Sequence, residues 1–509
     1  MVTLLLFNIC HAKVYIRPLD LAATMNNIFV DKYGGSSLAS PEHDLQVVQN
    51  IERAVRRGER LVVFCSAKGS AQPGKPKVTR RLHALCTSIL EDGIDKQEAR
   101  RRAIGIVEEH VNDAAQFNED LLRDIAADLI IACDVLIETR DAGMSPSDAR
   151  TLTLVDRIEG IGERFKVRKI AALGQVHGLD TVAYDAWDVG FITDDHFRNA
   201  TVPCSQYGAI KVSLERILTK GRIPVVTGFI GKTGDGRHTT GGYNSSDLWA
   251  TIAGAALGAQ EVRIYNAEID ALCSINPSIA AAISITPRAL DHISYEEADE
   301  LALQGAKLHP SSIKPARKHG VPVRVLNAFD ERDPHTRGTL IGLDSRVSGP
   351  RAFTSKEVKL VNVHLSEMDS AYGYAAKVYN VLADLGINAE MGDAASNTAV
   401  RIAFDADANT RDITSGLEKQ GIRNGHVTFT EDTMQIYCVG AGIRNDLNGI
   451  ICRIHIALDN ANIKPVMVGH GASESTYGLI VSKKDAHHAL VALHEEFYGN
   501  STQAGPDAS

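Results

Sequence analysis

The sequence predicts an α/β domain, a largely parallel sheet with helices on both faces, followed by two ferredoxin-like α+β modules. Three observations carry this. Short apolar runs alternate with helical periodicity as far as about residue 330, the pattern that puts helices on both faces of a parallel sheet. Residues 341–355 are rich in Gly, Ser, Arg and Pro and show no periodicity, as a linker does. Beyond them a β-α-β-β order occurs twice over segments of similar length, an internal repeat of small α+β units.

The elements follow in order. Asn27–Lys32 reads as a strand running into Tyr33-Gly34-Gly35-Ser36-Ser37, with a helical pattern from Pro41 to Arg57. Arg60–Ser66 is an apolar run of the buried parallel type. Residues 69–77 are a loop by composition. Helical patterns then dominate from Val78 to Leu173, broken at Gly143–Pro146 and Gly160–Gly162. Strand-like pieces recur at Thr181–Tyr184, Ile223–Phe229, Glu261–Tyr265 and Val321–Asn327, with helices at Ser246–Leu257 and Tyr295–Gly305. In the repeat, strand Val358–Leu365, helix Tyr372–Leu385 and strands Asn388–Met391 and Thr398–Phe404 form the first unit. Strand Met434–Val439, helix Asn448–Ala461, strands Pro465–Gly469 and Tyr477–Val481 and a closing helix Lys484–Phe497 form the second.

Composition narrows the function classes. Of 509 residues, 44% are hydrophobic and 23% charged, ordinary for a soluble globular protein. A formal net charge of −9 argues against a nucleic-acid binder, which shows a basic face. The eight cysteines include no C-x-x-C pair, so they read as reduced core residues of an intracellular, cytoplasmic protein. No run approaches the ~20 apolar residues of a membrane-spanning helix. Residues 1–25 read as an extension lacking the basic start and apolar core of a signal peptide, with Met25 as an alternative start.

Three stretches carry chemistry. In Val30–Ser37 a strand-end lysine precedes two glycines and two hydroxyls, a set that can hold phosphate, although such a turn standing alone is more often only a turn. It is not a Walker loop, and Gly231-Lys232-Thr233 lacks the glycine that a P-loop needs five residues earlier. From Ile223 a strand feeds a glycine-rich loop, R-H-T-T-G-G-Y-N-S-S-D-L at 237–248, which feeds a helix that Ser246 or Asp247 can cap. Ser294–Pro310 is an acidic helix followed at once by Lys307 and His309; Lys307 either reaches a phosphate or complements the helix C-terminus.

In this order and spacing these stretches resemble the aspartate kinases of the amino-acid kinase family, with two C-terminal ACT regulatory modules. Val30–Ser37 resembles the family's V-x-K-F-G-G-T-S. Ser66-Ala67 with Val78–Leu82 resembles its S-A and T-x-x-L, and Gly162–Phe165 its G-E-R/K-L-S. Thr227–Gly231 resembles T-G-F-x-G, and Ser294–Pro310 the family's S-Y-D-E-A segment through G-A-K and H-P. Ile387–Met391, and Val439–Gly442 with Gly471–Ser475, resemble the ACT signatures.

The resemblance implies ATP-dependent phosphorylation of the side-chain carboxylate of L-aspartate, with Mg²⁺ bound mainly through nucleotide phosphates. It implies Lys32, Asp247 and Lys307 as catalytic residues, Lys32 and Lys307 also holding the nucleotide. Gly34, Gly35 and Ser36 would cradle phosphate, and Glu268 and Asp270 belong to the nucleotide segment. Ser66, Thr79, Glu163, Phe229, Thr239, Thr240 and Tyr243 would form the acceptor site, Glu163 pairing with its ammonium. Glu474 and Ser475 would meet an amino-acid effector. The implied domains are a kinase domain at 26–342, a linker at 343–356, ACT modules at 357–430 and 431–500 that pair chains into a homo-oligomer, and a tail at 501–509.

Two departures stand out. Tyr243 falls where the family loop carries an arginine expected to clamp a substrate carboxylate, and Arg237 is the nearby cation that could replace it. In the nucleotide segment, Glu268, Asp270 and Pro277 fit, but Cys273 and Ser278 replace a tyrosine and an arginine. The departures leave two alternatives open: a kinase for another amino acid or carboxylate, or a regulatory paralogue with little turnover.

Overall fold

The structure is a computed structural model that describes residues 27–70, 74, 76–112, 120–243, 245–303, 311–343, 349–364, 373–396, 399–470 and 474–499. The N-terminal extension, the tail, Lys307, Gly471, part of the 69–77 loop and residues 344–348 of the expected linker lie outside the described residues.

The strands are β1 (Ile28–Tyr33), β2 (Arg60–Cys65), β3 (Thr181–Tyr184), β4 (Ile192–Thr193), β5 (Ile223–Thr227), β6 (Ile230–Thr233), β7 (His238–Thr240), β8 (Glu261–Asn266), β9 (His292–Ser294), β10 (Val323–Asn327) and β11 (Thr339–Gly342). Eight of them form one sheet in the order β3-β5-β2-β1-β8-β10-β11-β9, parallel except between β10 and β11. Its period-2 side chains divide cleanly. Ile28 and Val30 of β1 and Val62 and Phe64 of β2 pack with Trp249 and Ala250 of helix Ser246–Leu257. Phe29, Tyr33, Leu61, Val63 and Cys65 pack on the other face with helices Pro41–Arg56 and Ile161–Val176. The two-faced burial produces the near-continuous apolar runs of these strands. Beside this sheet, helices Val78–Leu90, Lys96–Asn112, Asp120–Asp141 and Ala149–Glu159 bury their own core, centred on Leu82, Leu129, Cys133 and Ile158. Strands β4, β6 and β7 form a separate three-stranded sheet.

The C-terminal strands are β12 (Ala352–His364), β13 (Ala389–Ser396), β14 (Ala399–Asp405), β15 (Val427–Val439), β16 (Met467–His470) and β17 (Thr476–Ser482). They make one antiparallel sheet, ordered β13-β14-β12-β15-β17-β16. Here the expected domain limits need correction. β12 already begins at Ala352, inside the expected linker, and β15 crosses the expected boundary at 430/431. Each strand serves both modules. Phe353 packs with Ile436 and Cys438 in one core, whereas Val361 and Val363 pack with Val427 in the other. The changeover is a bulge: Val358 pairs with Thr433 but Leu360 with Thr430, leaving Glu431 and Asp432, the latter at φ 55°, opposite Lys359.

A helix at Thr410–Lys419, absent from the expected repeat, completes the first module. Asn409 caps it by accepting from the Arg411 N–H, and only Ile413 and Leu417, one turn apart, are buried. Two apolar residues in ten are too few to announce a helix by periodicity.

The cysteines also differ in part from expectation: Cys65, Cys86, Cys133 and Cys438 are buried, but Cys204 and Cys452 are exposed. Among the described residues, no helix is long and apolar enough to cross a membrane.

The two regions are joined by specific contacts. The Phe353 N–H donates to the Ser274 carbonyl (2.7 Å), and Ser274 Oγ lies 3.0 Å from His494 Nε2. Buried Glu297 accepts from the Ser294 N–H (2.7 Å) and, with its other oxygen, from the Ala441 N–H (2.8 Å).

Candidate active site

The strand order fixes where the site lies. The chain leaves β1 toward β2 on one side and later returns to place β8 on the other. The carboxyl ends of β1 and β8 therefore form a switch-point crevice. Lys32 sits near the end of β1 with the parity of Ile28 and Val30, so it faces helix Ser246–Leu257. It meets Asp247 in that helix's first turn, with Nζ 2.5 Å from Oδ1 and each side chain only 9% exposed. Gly228 permits this approach, since a Cβ there would lie 2.6 Å from Ser246 Cβ. The capping expected of Ser246 or Asp247 does not occur: Ser245 is the N-cap, without a side-chain bond, and Asp247 turns to Lys32. An ion pair so removed from water is held by its mutual attraction, and loss of either partner leaves a buried charge.

Gly35, Ser66, Thr79, Glu163, Phe229 and Tyr243, all expected in the site, line one cavity of about 450 Å³. Gly34 stands beside it, its missing Cβ 3.4 Å from Lys32 Nζ. Its φ of −74° is open to any residue, so closeness and not dihedral freedom is what the glycine supplies. Ser36 follows in the same turn, its carbonyl bonded to His43 Nδ1.

Glu163 is the most constrained of these groups. Gly162 would place a Cβ 2.8 Å from that of Ala67, so the glycine lets helix Ile161–Val176 press against the end of β2. Glu163 Oε1 thereby accepts the Ala67 N–H at 3.1 Å. Its Oε2 is buried with no hydrogen-bond partner. Burial raises its pKa to about 8, opposed only in part by the Ala67 N–H. A buried carboxyl with one unsatisfied oxygen, in a residue that lines a cavity, suits a cationic donor. Phe229 is held at φ 66°, a conformation costly for an aromatic residue and common at ligand sites.

Other expected residues fall elsewhere. Thr239 and Thr240 are buried away from the cavity. The Thr239 hydroxyl pairs with that of Thr193 (2.7 Å), and the Thr240 hydroxyl donates to Asp156 (2.8 Å), whose second oxygen takes the Thr240 N–H. These threonines pin the loop. Arg237 does not replace the expected clamp: it pairs with Asp235 at 2.8 Å and lies over the Phe197 ring. Tyr243 is 46% exposed, edge-on to His83, and burial foremost raises its pKa, so it remains a neutral phenol.

Glu268 lines a second cavity of about 340 Å³ with Cys273, Ser278 and, from β12, Thr354 and Ser355. Asp270 accepts from Asn327 at 2.6 Å. Glu474, at φ 58°, is exposed and Ser475 is buried; the Ser475 carbonyl accepts the Gly440 N–H, which brings the two ACT-like segments together. The cavity also recruits Lys68, Lys77, Arg80 and His83, which sequence reasoning had not assigned. The signal available was their nearness to Ser66 and Thr79.

Comparison with known proteins shows which family the chain resembles along its length. A model of the amino acid kinase family matches residues 27–327, and one of the ACT domain matches 436–497. Aspartokinase 3, chloroplastic, of Arabidopsis thaliana is 29% identical over 489 residues, covering 93% of this chain and 82% of that protein. The aspartokinase of Candida albicans is 24% identical, covering 94% and 92%. Among solved structures, E. coli aspartokinase III in complex with aspartate and ADP (R-state) superposes with a TM-score of 0.69 at 23% identity, over 92% of this chain and all of that one. Its complex with lysine and aspartate (T-state) gives 0.72 at 22% identity, over 93% and all of that chain.

Proposed function

The chain belongs to the amino acid kinase family, and from that premise we propose that it phosphorylates the side-chain carboxylate of L-aspartate with ATP, under control of an amino acid bound at its ACT modules. The observation that carries the reading is Glu163. Its Oε2 is buried and unsatisfied, and Glu163 lines a cavity with Ser66 and Thr79, a combination that suits an acceptor ammonium; the Lys32–Asp247 pair stands at the same strand ends. The names of relatives matched along nearly the whole chain support it.

In this reading Lys32 holds the transferring phosphate and offsets its developing charge, while Gly34, Gly35 and Ser36 receive the other phosphate oxygens. Asp247 orients Lys32. Among the described residues no cluster of three or more His, Cys, Asp or Glu side chains is arranged for a metal, and Mg²⁺ is assigned to the nucleotide's own oxygens, as it usually is. The acceptor carboxylate is already a nucleophile, so positioning and electrostatics supply most of the catalysis. Thr239 and Thr240 support the loop, and Glu268 and Asp270 the nucleotide side. Glu474 lies beside the proposed effector site. The modules would also pair chains, giving by light scattering at least twice the 55.0 kDa of one chain; a monomer at micromolar concentration would contradict that assignment.

Tyr243 favours a second reading, a kinase for a different carboxylate. ADP release with Mg·ATP over the common amino acids separates the two. Release with aspartate supports the first, and release only with another acceptor supports the second. Amino-acid binding without release indicates a regulatory paralogue.

A further inference from the structure

The acceptor cavity holds a site for a positive group and needs one for a negative group. Glu163 Oε2 takes the acceptor's ammonium. The unreacting carboxylate of an amino dicarboxylate needs a cation on the same cavity, and at position 243 stands a neutral phenol. The described cations near the cavity can be taken in turn. Lys68 and Arg81 share Glu109, Lys68 at 3.5 Å. His83 and Arg198 share Glu159, at 2.7 and 3.1 Å. Lys32 is held by Asp247 and Arg237 by Asp235. Lys77 and Arg80 remain, both lining the cavity with no carboxylate partner among the described residues.

We propose that Arg80 is the specificity-determining clamp that takes the acceptor's α-carboxylate, the carboxylate that is not phosphorylated. This rests on the reading of the cavity as an acceptor site. Two features favour Arg80 over Lys77, its fork and its position beside Tyr243, and the helix start favours an anion beside either. A guanidinium presents a planar fork that binds carboxylate through two parallel N–H bonds, which an ammonium cannot. Arg80 lies in the first turn of helix Val78–Leu90, whose N-cap, Lys77, supplies no side-chain bond, so the helix's N–H groups and dipole reinforce a bound anion there. Arg80 also stands close enough to the Tyr243 hydroxyl to act on it electrostatically. The clamp has thus moved from the loop after β7 to the helix that carries Thr79, and the cavity retains one cationic and one anionic recognition point.

The test compares L-aspartate with β-alanine, which is aspartate without its α-carboxylate. Dissociation constants come from calorimetry and KM from ADP release. For the unaltered protein, aspartate binds about 10- to 100-fold more tightly than β-alanine. Arg80→Ala removes that difference, with KM for ATP unchanged and an unchanged thermal melt, because Arg80 is exposed and makes no ion pair among the described residues. Arg80→Lys restores it only partly, and Tyr243→Arg in the Arg80→Ala background restores it largely. The proposal is overturned if Arg80→Ala still distinguishes the two ligands as the unaltered protein does, or if Lys77→Ala alone removes the difference. In those cases aspartate phosphorylation by the unaltered protein would still stand. If the unaltered protein neither binds nor phosphorylates aspartate, the clamp and the assigned function both fall.

Discussion

Replacing Glu163 by glutamine probes the site through two opposite effects. Glutamine is the isostere of the protonated acid. With a folded pKa of about 8 against an ordinary 4.5, Glu163 is largely protonated in the folded protein at pH 7 and ionised in the unfolded chain. A raised carboxyl pKa gives full relative stability below pH 4.5, which is lost as pH rises through about 8. By pH 7, some 2.5 units above the unfolded value, the loss is about 3 kcal/mol. Glu163→Gln therefore leaves stability unchanged near pH 4.5 and raises it by about that amount at pH 7, read from urea unfolding at the two pH values. Acceptor binding behaves in the opposite way, because the ammonium needs the ionised carboxylate. The ionised fraction rises about 50-fold from pH 6 to pH 8, and KM for the acceptor should fall by a similar factor, then level off. Calorimetry in two buffers should show proton release on binding at pH 7. In the Gln variant KM is high and flat across this range. A constant KM in the unaltered protein, or unaltered affinity in the variant, would refute the role given to Glu163.

Asp247→Asn leaves Lys32 buried without its counter-charge. It should lower kcat by about 10²- to 10³-fold and destabilise the kinase region by about 3–5 kcal/mol, read by steady-state kinetics and urea unfolding. Thr240→Val leaves an Asp156 oxygen without its 2.8 Å donor, at a cost of about 1–3 kcal/mol, seen as unfolding of the kinase region at lower urea. Glu297→Gln keeps one acceptor where two N–H groups now bond. Hydrogen exchange at the Ala441 amide should quicken by about 10- to 100-fold if this carboxylate ties the ACT loop to the kinase region; unchanged exchange would place the tie elsewhere.

Much of this was legible in the sequence where local signals and burial agree. Helix Ser246–Leu257 and strand Thr181–Tyr184 have the expected bounds, since one is a buried apolar helix and the other a short β-rich run between turns. Lys32, Glu163, Phe229 and the glycines could be placed because each sits at a strand end or helix start with its own local pattern. The strand exchange between the C-terminal modules was not legible: the apolar positions along β12 and β15 do not mark which core each half enters. Nor was the inward turn of Thr239 and Thr240, because their partners Thr193 and Asp156 lie 46 and 84 residues away. Arg237 and Arg80 look alike as letters in loops and helix starts. Only their neighbours, Asp235 for one and an open cavity for the other, tell them apart.

The most direct test of the central claim traps the product. An acyl phosphate reacts with hydroxylamine to give a stable hydroxamate. The purified protein is therefore incubated with Mg·ATP, L-aspartate and hydroxylamine, and the products are read by mass spectrometry beside the ADP formed. Side-chain phosphorylation of aspartate predicts aspartyl β-hydroxamate in step with ADP, and none without ATP. ADP formed without the hydroxamate, or hydroxamate only from a different acceptor, would contradict it.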